Sequence, residues 1–172
     1  QRTLIDGVLV TRVPLFPSHD KNKLGRIACY ISLAFSSLIY GLFFAKRPNL
    51  IYAYHPPLTI GISAILIKLF RGVPVVLDIQ DMWPDTLKAT GMLNNSWLLG
   101  CIYKVCSVVY SSVTQIVVLS PGFKNLLIDR GVPSSKIEVI YNWADELKIK
   151  RTGGSLPDKI ASIGGFKILF AG

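Results

Sequence analysis

The stretch 74-PVVLDIQDMWPD-85 runs four apolar or β-branched positions straight into three carboxylates, Asp78, Asp81 and Asp85, with a Trp-Pro pair between the last two. Its apolar half does not alternate. A strand with one face in water shows a period of two, whereas a short unbroken apolar run suits a strand covered on both faces, the habit of parallel sheets. The polar half begins where such a strand would end. In an open parallel sheet, ligands bind outside the carboxyl ends of the strands. One stretch therefore implies an architecture and the edge on which to look for chemistry.

Similar runs recur on either side. Asn49–Tyr54 (NLIYAY), Ile116–Leu119 and Ile137–Tyr141 are short and rich in β-branched or aromatic residues. Between them, helical periodicity covers Leu58–Arg71, Trp97–Thr114 and Gly122–Arg130, with Gly72 and Gly131 closing the first and last. A turn at Trp83-Pro84 leads into a short helix near Thr86–Thr90. Towards the amino terminus, Gly7–Val13 reads as a strand and Lys23–Lys46 as a long helix. Alternating strands and helices predict an α/β fold, a Rossmann-like open parallel sheet with helices on both faces. Residues 146–165 are charged and Gly-rich and read as a linker, and 166-FKILFAG-172 reads as a new strand. Residues 1–145 are thus expected to form one domain and 166–172 to begin a second.

The residues after each strand are polar, although the strands feeding them are apolar. They are His55-Pro56-Pro57, then Asp81 to Asp85, then Ser120-Pro121-Gly122, then Asn142-Trp143-Ala144-Asp145. A cleft with a histidine, carboxylates, a hydroxyl, an amide and two tryptophans suits a sugar, which has an apolar ring face and a hydroxyl rim. The helix start at Ser-Pro-Gly also favours a phosphate. Each residue has an architectural reading too. His55 can satisfy a turn, Ser120 can cap the next helix, Asn142 can sit in a turn, and Asp85 can cap the short helix after it. Asp78 lies inside the apolar run and can be structurally paired. Asp81 stands just past the strand with no evident capping duty, placed to act as a base or to accept a substrate hydroxyl.

Composition narrows the partners. The 172 residues are 51% apolar and carry a net charge of +9, enough chain for a full core. From Lys21 to Leu77 there are seven Lys or Arg and no acid. Such a surface attracts phosphate-bearing partners. The basic residues punctuate apolar runs and no nucleic-acid module is present, so an anionic membrane surface is favoured over nucleic acid. Residues 27–45, IACYISLAFSSLIYGLFFA, carry no charge and approach a bilayer-spanning length. Three serines, two tyrosines and a glycine temper that run, and a core helix with a membrane-facing side is the preferred reading. Cys29, Cys101 and Cys106 form no CxxC, and their odd number suits reduced thiols in a cytosolic core.

Five motifs occur in order: HPPL at 55–58, DMWPD at 81–85, LSPGF at 119–123, GVP at 131–133 and VIYNWAD at 139–145. Together they resemble the amino-terminal half of glycosyltransferase family 4, in its branch of bacterial O-antigen, capsule and colanic-acid enzymes. The resemblance runs from IDGVLVTRVP (5–14) to FKILFAG (166–172). It implies a GT-B architecture, two Rossmann-like domains facing a cleft, the first binding the acceptor and the second the sugar nucleotide. It further implies retention of anomeric configuration without a metal, consistent with the lack of a D-x-D motif. The implied donor is a nucleotide sugar such as a UDP-sugar. The implied acceptor is an undecaprenyl-diphosphate-linked sugar at the inner face of the cytoplasmic membrane, which places the protein in the cytoplasm, peripheral on that face.

By the same resemblance, Asp81 matches the polar position beside the acceptor hydroxyl and is expected to be catalytic. His55, Trp83, Ser120 and Asn142 are expected to bind the acceptor, with Trp83 either a stacking wall or a wedge with Pro84, and Asn142 near the domain hinge. The family's first strand and glycine-rich loop would precede Gln1 and its donor domain would follow Gly172, so the isolated chain is expected to be inactive. Glu138 and Glu146 mimic the family's paired donor-binding glutamates, but they fall in the wrong half and are discounted. Two other readings are carried: a sugar-nucleotide epimerase of the same fold, which has no need of the apolar helix and basic stretch, and a non-catalytic membrane-recruiting subunit of a split transferase.

Overall fold

The computed structural model describes residues 1–17, 23–144 and 164–165. In chain order it forms a hairpin of β1 (Arg2–Ile5) and β2 (Val8–Thr11), helix α1 (Lys23–Ile39) continued by a π-helical turn (Tyr40–Phe44), β3 (Ile51–His55), α2 (Leu58–Arg71), β4 (Val75–Ile79), α3 (Asp85–Ala89), α4 (Ser96–Ser112), β5 (Gln115–Val118), α5 (Pro121–Asp129) and β6 (Ile137–Val139). The chain divides into two units, Gln1–Tyr141 and Asn142–Gly172. The expected linker and second-domain strand, apart from 164–165, lie outside the described residues.

The stretch 74–85 behaves as read. β4 is a central strand of a parallel sheet with the order β3-β4-β5-β6. Register sets His55 opposite Ile79 and Ile79 opposite Val118, so one face is continuous across strands. On that face Leu77, Ile79, Ile116, Val118 and Ile137 reach no solvent. The expected Rossmann-like α/β arrangement is therefore present. Leu58, Ala64 and Ile65 of α2, Cys106, Val109 and Tyr110 of α4 and Leu127 of α5 join these strand residues in one core. Gly61 lets α2 close on it. A Cβ there would lie 2.9 Å from Val109 Cγ1 of α4 and 3.6 Å from Leu77 Cδ1 of β4. Gly72, in the left-handed region at φ 62°, ends α2 at the predicted residue. Two lysines close the carboxyl end of α4: Lys68 donates to Ser112 O and Lys136 to Ser111 O, each at 2.6 Å. Burial, then the nearby Lys68 charge, lowers the Lys136 pKa.

Two expectations at the amino terminus are corrected. Gly7–Val13 does not enter the parallel sheet. Its strand is Val8–Thr11, paired antiparallel with Arg2–Ile5 in a separate hairpin. The signal was Asp6-Gly7: both residues take positive φ, 47° and 81°, the twist a two-residue hairpin turn requires. The long helix over Lys23–Lys46 is α-helical only to Ile39, and Ala45 is extended. The π turn lies where the chain meets α2 most closely. A Cβ on Gly41 would fall 2.4 Å from Ile67 Cδ1, and Arg71 Nη1 donates to Gly41 O (2.5 Å) and Ala45 O (2.9 Å).

α1 runs beside α2 in the same direction. Thr59 Oγ1 donates to Tyr30 O (3.1 Å) and Ser63 Oγ to Ala34 O (2.8 Å). Ala34 is the one buried residue of the span Leu24–Phe44. That span is long and apolar enough to cross a membrane by length and composition, yet three α2 side chains tie it to the domain. On its outer side Leu24, Ile27, Ile31 and Phe35, spaced three, four and four apart, are 51–72% exposed. The three cysteines are free, and only Cys106 is in the core, where burial pushes its thiol up to about 11.

Candidate active site at the strand ends

The three carboxylates of 74–85 part company. Asp78 points from β4 to the face opposite the packed core and is buried all the same. Tyr52 Oη of β3 donates to its Oδ2 (2.9 Å) and Gln80 Nε2 to its Oδ1 (2.6 Å). Partial burial, then this hydrogen bond and the Asp78 charge, raise the Tyr52 pKa to about 12. Asp85 does not cap α3. It is the first residue of that helix, half-exposed, and pairs with the mostly buried Arg130. The reason is reach: Arg130 Nη1 also donates to Trp83 O (3.2 Å), and its guanidinium lies 5.6 Å from the centre of the Tyr103 ring. One cation thus braces the β4–α3 loop from α5's carboxyl end.

Asp81 is the carboxylate left at the strand end. It is half-buried, and its Oδ1 accepts from Thr86 Oγ1 at 2.5 Å. Thr86 is itself fixed in the first turn of α3, its backbone N–H donating to Met82 O at 3.0 Å. Among the described residues, Oδ2 of Asp81 has no partner. The side chain is therefore anchored through one oxygen, with the other available.

His55 ends β3 beside this loop. Its ring is 0% exposed, and neither nitrogen has a hydrogen-bond partner among the described residues. Trp83 lies edge-on to it, with centroids 5.8 Å apart and planes at 77°. Burial drives the His55 pKa down from 6.5 to about 4, against the opposing pull of Asp81's charge. The imidazole is neutral at pH 7. Trp83, half-buried, packs on the core at the same place. The His55–Pro56 and Trp83–Pro84 peptide bonds are cis.

Thus the fold brings His55, at the end of β3, together with Asp81 and Trp83 of the β4–α3 loop. Ser120 caps α5, its Oγ accepting from Phe123 N at 3.3 Å. Asn142 is exposed and is the first residue of the second unit. Sequence reasoning missed Thr86 and Arg130. Thr86 left a signal, a hydroxyl in the first turn of the helix following Asp81. Arg130, 45 residues from Asp85, left none. Among the described residues no three His, Cys, Asp or Glu gather as metal ligands would.

The chain can now be set beside known proteins. It is similar to the probable glycosyltransferase WbjE of Pseudomonas aeruginosa, 25% identical over 136 residues that make up 78% of this chain and 34% of that protein. It thus spans about a third of the length of this relative. A family model, described as the glycosyl transferase 4-like domain, matches residues 2–143. That match contains the hairpin, the whole four-stranded sheet and the loops holding His55, Asp81, Trp83 and Ser120, and the chain belongs to the glycosyl transferase 4-like domain family.

Proposed function

We propose that this chain is the acceptor-binding part of a retaining glycosyltransferase. It would serve transfer of a sugar from a nucleotide-sugar donor, such as a UDP-sugar, to an undecaprenyl-diphosphate-linked saccharide. The setting is bacterial surface-polysaccharide (O-antigen) biosynthesis at the inner face of the cytoplasmic membrane. The observation carrying this reading is Asp81: Asp78 has both oxygens hydrogen-bonded and Asp85 is ion-paired with Arg130, whereas Asp81, just past β4, is held by Thr86 through one oxygen and has no partner on the other among the described residues.

In this reading the free Oδ2 accepts a hydrogen bond from the acceptor hydroxyl and aligns it with the donor's anomeric carbon. As the glycosidic bond forms and the nucleotide leaves, the hydroxyl proton is drawn towards the carboxylate. Thr86 holds the carboxylate rotamer. Trp83 walls the site, and the neutral His55 ring behind it fixes the indole rather than touching the acceptor. Ser120 remains a candidate for acceptor contacts at this edge of the sheet, and Asn142, in the second unit, remains one by the family resemblance alone. Peripheral membrane attachment is supported by the acid-free stretch Lys21–Leu77 and the exposed apolar side of α1.

The test is transfer by the full-length enzyme to a lipid-linked sugar from a panel of UDP-sugars. Asp81→Asn is expected to lower kcat by roughly 10²- to 10⁴-fold while leaving the acceptor KM within a few-fold. An unchanged rate sinks the assignment. No transfer with any donor in the panel would favour the recruiting-subunit reading.

A further inference from the structure

Away from the strand ends, a groove of about 420 Å³ lies between the β1–β2 hairpin and the carboxyl half of α1 with its π turn. Its apolar wall is Phe35, Ile39 and Phe44, and its rim carries Arg2 and Arg12. Tyr40 forms the floor, its hydroxyl hydrogen-bonded to Thr11 Oγ1 at 3.1 Å. Arg2 lies over the Tyr40 ring at 5.8 Å, and Arg12 Nη1 donates to Thr3 Oγ1 at 2.8 Å. Neither guanidinium meets a carboxylate, since the one ion pair among the described residues is Asp85–Arg130. Two arginines with no carboxylate partner among the described residues, above a hydrocarbon trough, call for an amphiphile, an anionic head on an apolar chain. Phe35 belongs to both the trough and the exposed stripe of α1, so a chain leaving the trough meets the same apolar surface.

We infer that this groove binds an anionic glycerophospholipid of the membrane, its phosphate between Arg2 and Arg12 and one acyl chain along Phe35, Ile39 and Phe44. The inference rests on the proposed membrane attachment and gives it a specific lipid contact. The lipid is a resident one and not the reacting acceptor, because of where the groove sits. The start of α2, at Thr59, meets α1 at Tyr30, whereas Gly41 and Ala45 meet Arg71 at the end of α2. Along the 14-residue α2, Phe35 lies near the middle, beside the Ala34–Ser63 contact, while Tyr40 under Arg2 and the π turn lie towards the far end, so the arginine end of the trough is about 15–20 Å from the strand ends along that axis.

The experiment measures binding to the full-length protein below micellar concentration by calorimetry and thermal shift. The probes are dihexanoyl-phosphatidylglycerol, dihexanoyl-phosphatidylcholine and glycerol 3-phosphate. Saturable binding of the glycerol lipid is expected, with the choline lipid and the chainless phosphate each at least tenfold weaker. Arg2→Gln/Arg12→Gln should weaken the glycerol lipid at least tenfold, and Arg2→Lys/Arg12→Lys should recover part of the loss. Equal binding of the choline lipid, equal binding of glycerol 3-phosphate, or no effect of the Gln pair on a protein of unchanged Tm overturns the proposal. So does a rise in acceptor KM in detergent for the Gln pair, which would give the groove to the acceptor. Flotation on phosphatidylglycerol vesicles is read separately. If the wild type fails to float, membrane attachment falls; if it floats without binding the short lipid, the groove alone falls.

Discussion

The core of the sheet and the amino-terminal layer are built from the same kinds of residue and use them oppositely. Leu77, Ile79, Ile116 and Ile137 are sealed between strands and crossover helices, whereas Leu24, Ile27, Ile31 and Phe35 face outward from α1. Apolar content alone does not distinguish them, because both lie in stretches made mostly of aliphatic and aromatic residues. The difference is where polar anchors fall. Thr59, Ser63 and Arg71 of α2 grip backbone carbonyls on one side of α1 and its π turn, and the other side carries the exposed Ile27, Ile31 and Phe35. Core apolar residues stabilise the fold, and the outer side of α1 is free to serve binding.

The comparison breaks most sharply in the core. Leu77→Ala should cost about 3 kcal/mol, since the site is enclosed and cannot collapse fully; a denaturant midpoint shift much below that would mean the sheet face is looser than its burial indicates. A similar effect is expected from pH at His55. Its pKa is 6.5 unperturbed and about 4 when folded, so on acidification the unfolded chain takes up the proton first. Stability present above pH 6.5 is therefore lost between pH 6.5 and about 4, on the order of 3 kcal/mol, and falls no further from this group below that. His55→Leu should flatten that part of the curve, and an unflattened curve assigns the acid sensitivity elsewhere.

Two glycines sharpen the contrast at smaller scale. Gly61→Ala gains helix propensity but drives a methyl into the stiff, buried Val109, for a net loss of about 1 kcal/mol. Gly100, exposed in α4 with no heavy atom within 4 Å of where a methyl would sit, should gain up to about 1 kcal/mol as Ala. Thermal melts of the two variants should move in opposite directions. Smallest in stability is Ile27→Ser/Ile31→Ser on α1, expected within about 0.5 kcal/mol per site. Flotation on anionic vesicles should nevertheless fall several-fold, and unchanged flotation would leave this face without the role proposed for it.

The sheet was legible because its signals are local. The unbroken run before Asp78, the Gly72 stop and the helical period over Leu58–Arg71 each report on a few neighbouring residues. The hairpin was legible too, in Asp6-Gly7, but a strand reading of Gly7–Val13 overrode a turn that requires positive φ at both residues. At the site, Asp81 was separable from Asp78 by strand length alone. Asp85 was not, because its partner Arg130 comes from α5. For the same reason Ser120's duty as a cap was readable three residues away, while the packing of Trp83 against His55 was not.

The sequence alone determined the α/β alternation, the edge where polar residues collect, and which carboxylate stands free of the strand, since these follow from periodicity and chain direction. Only the tertiary structure decided that His55 is sealed and neutral, that Thr86 anchors Asp81, and that one side of α1 is left open. Those depend on desolvation and on contacts between segments distant in the chain, which no local pattern encodes.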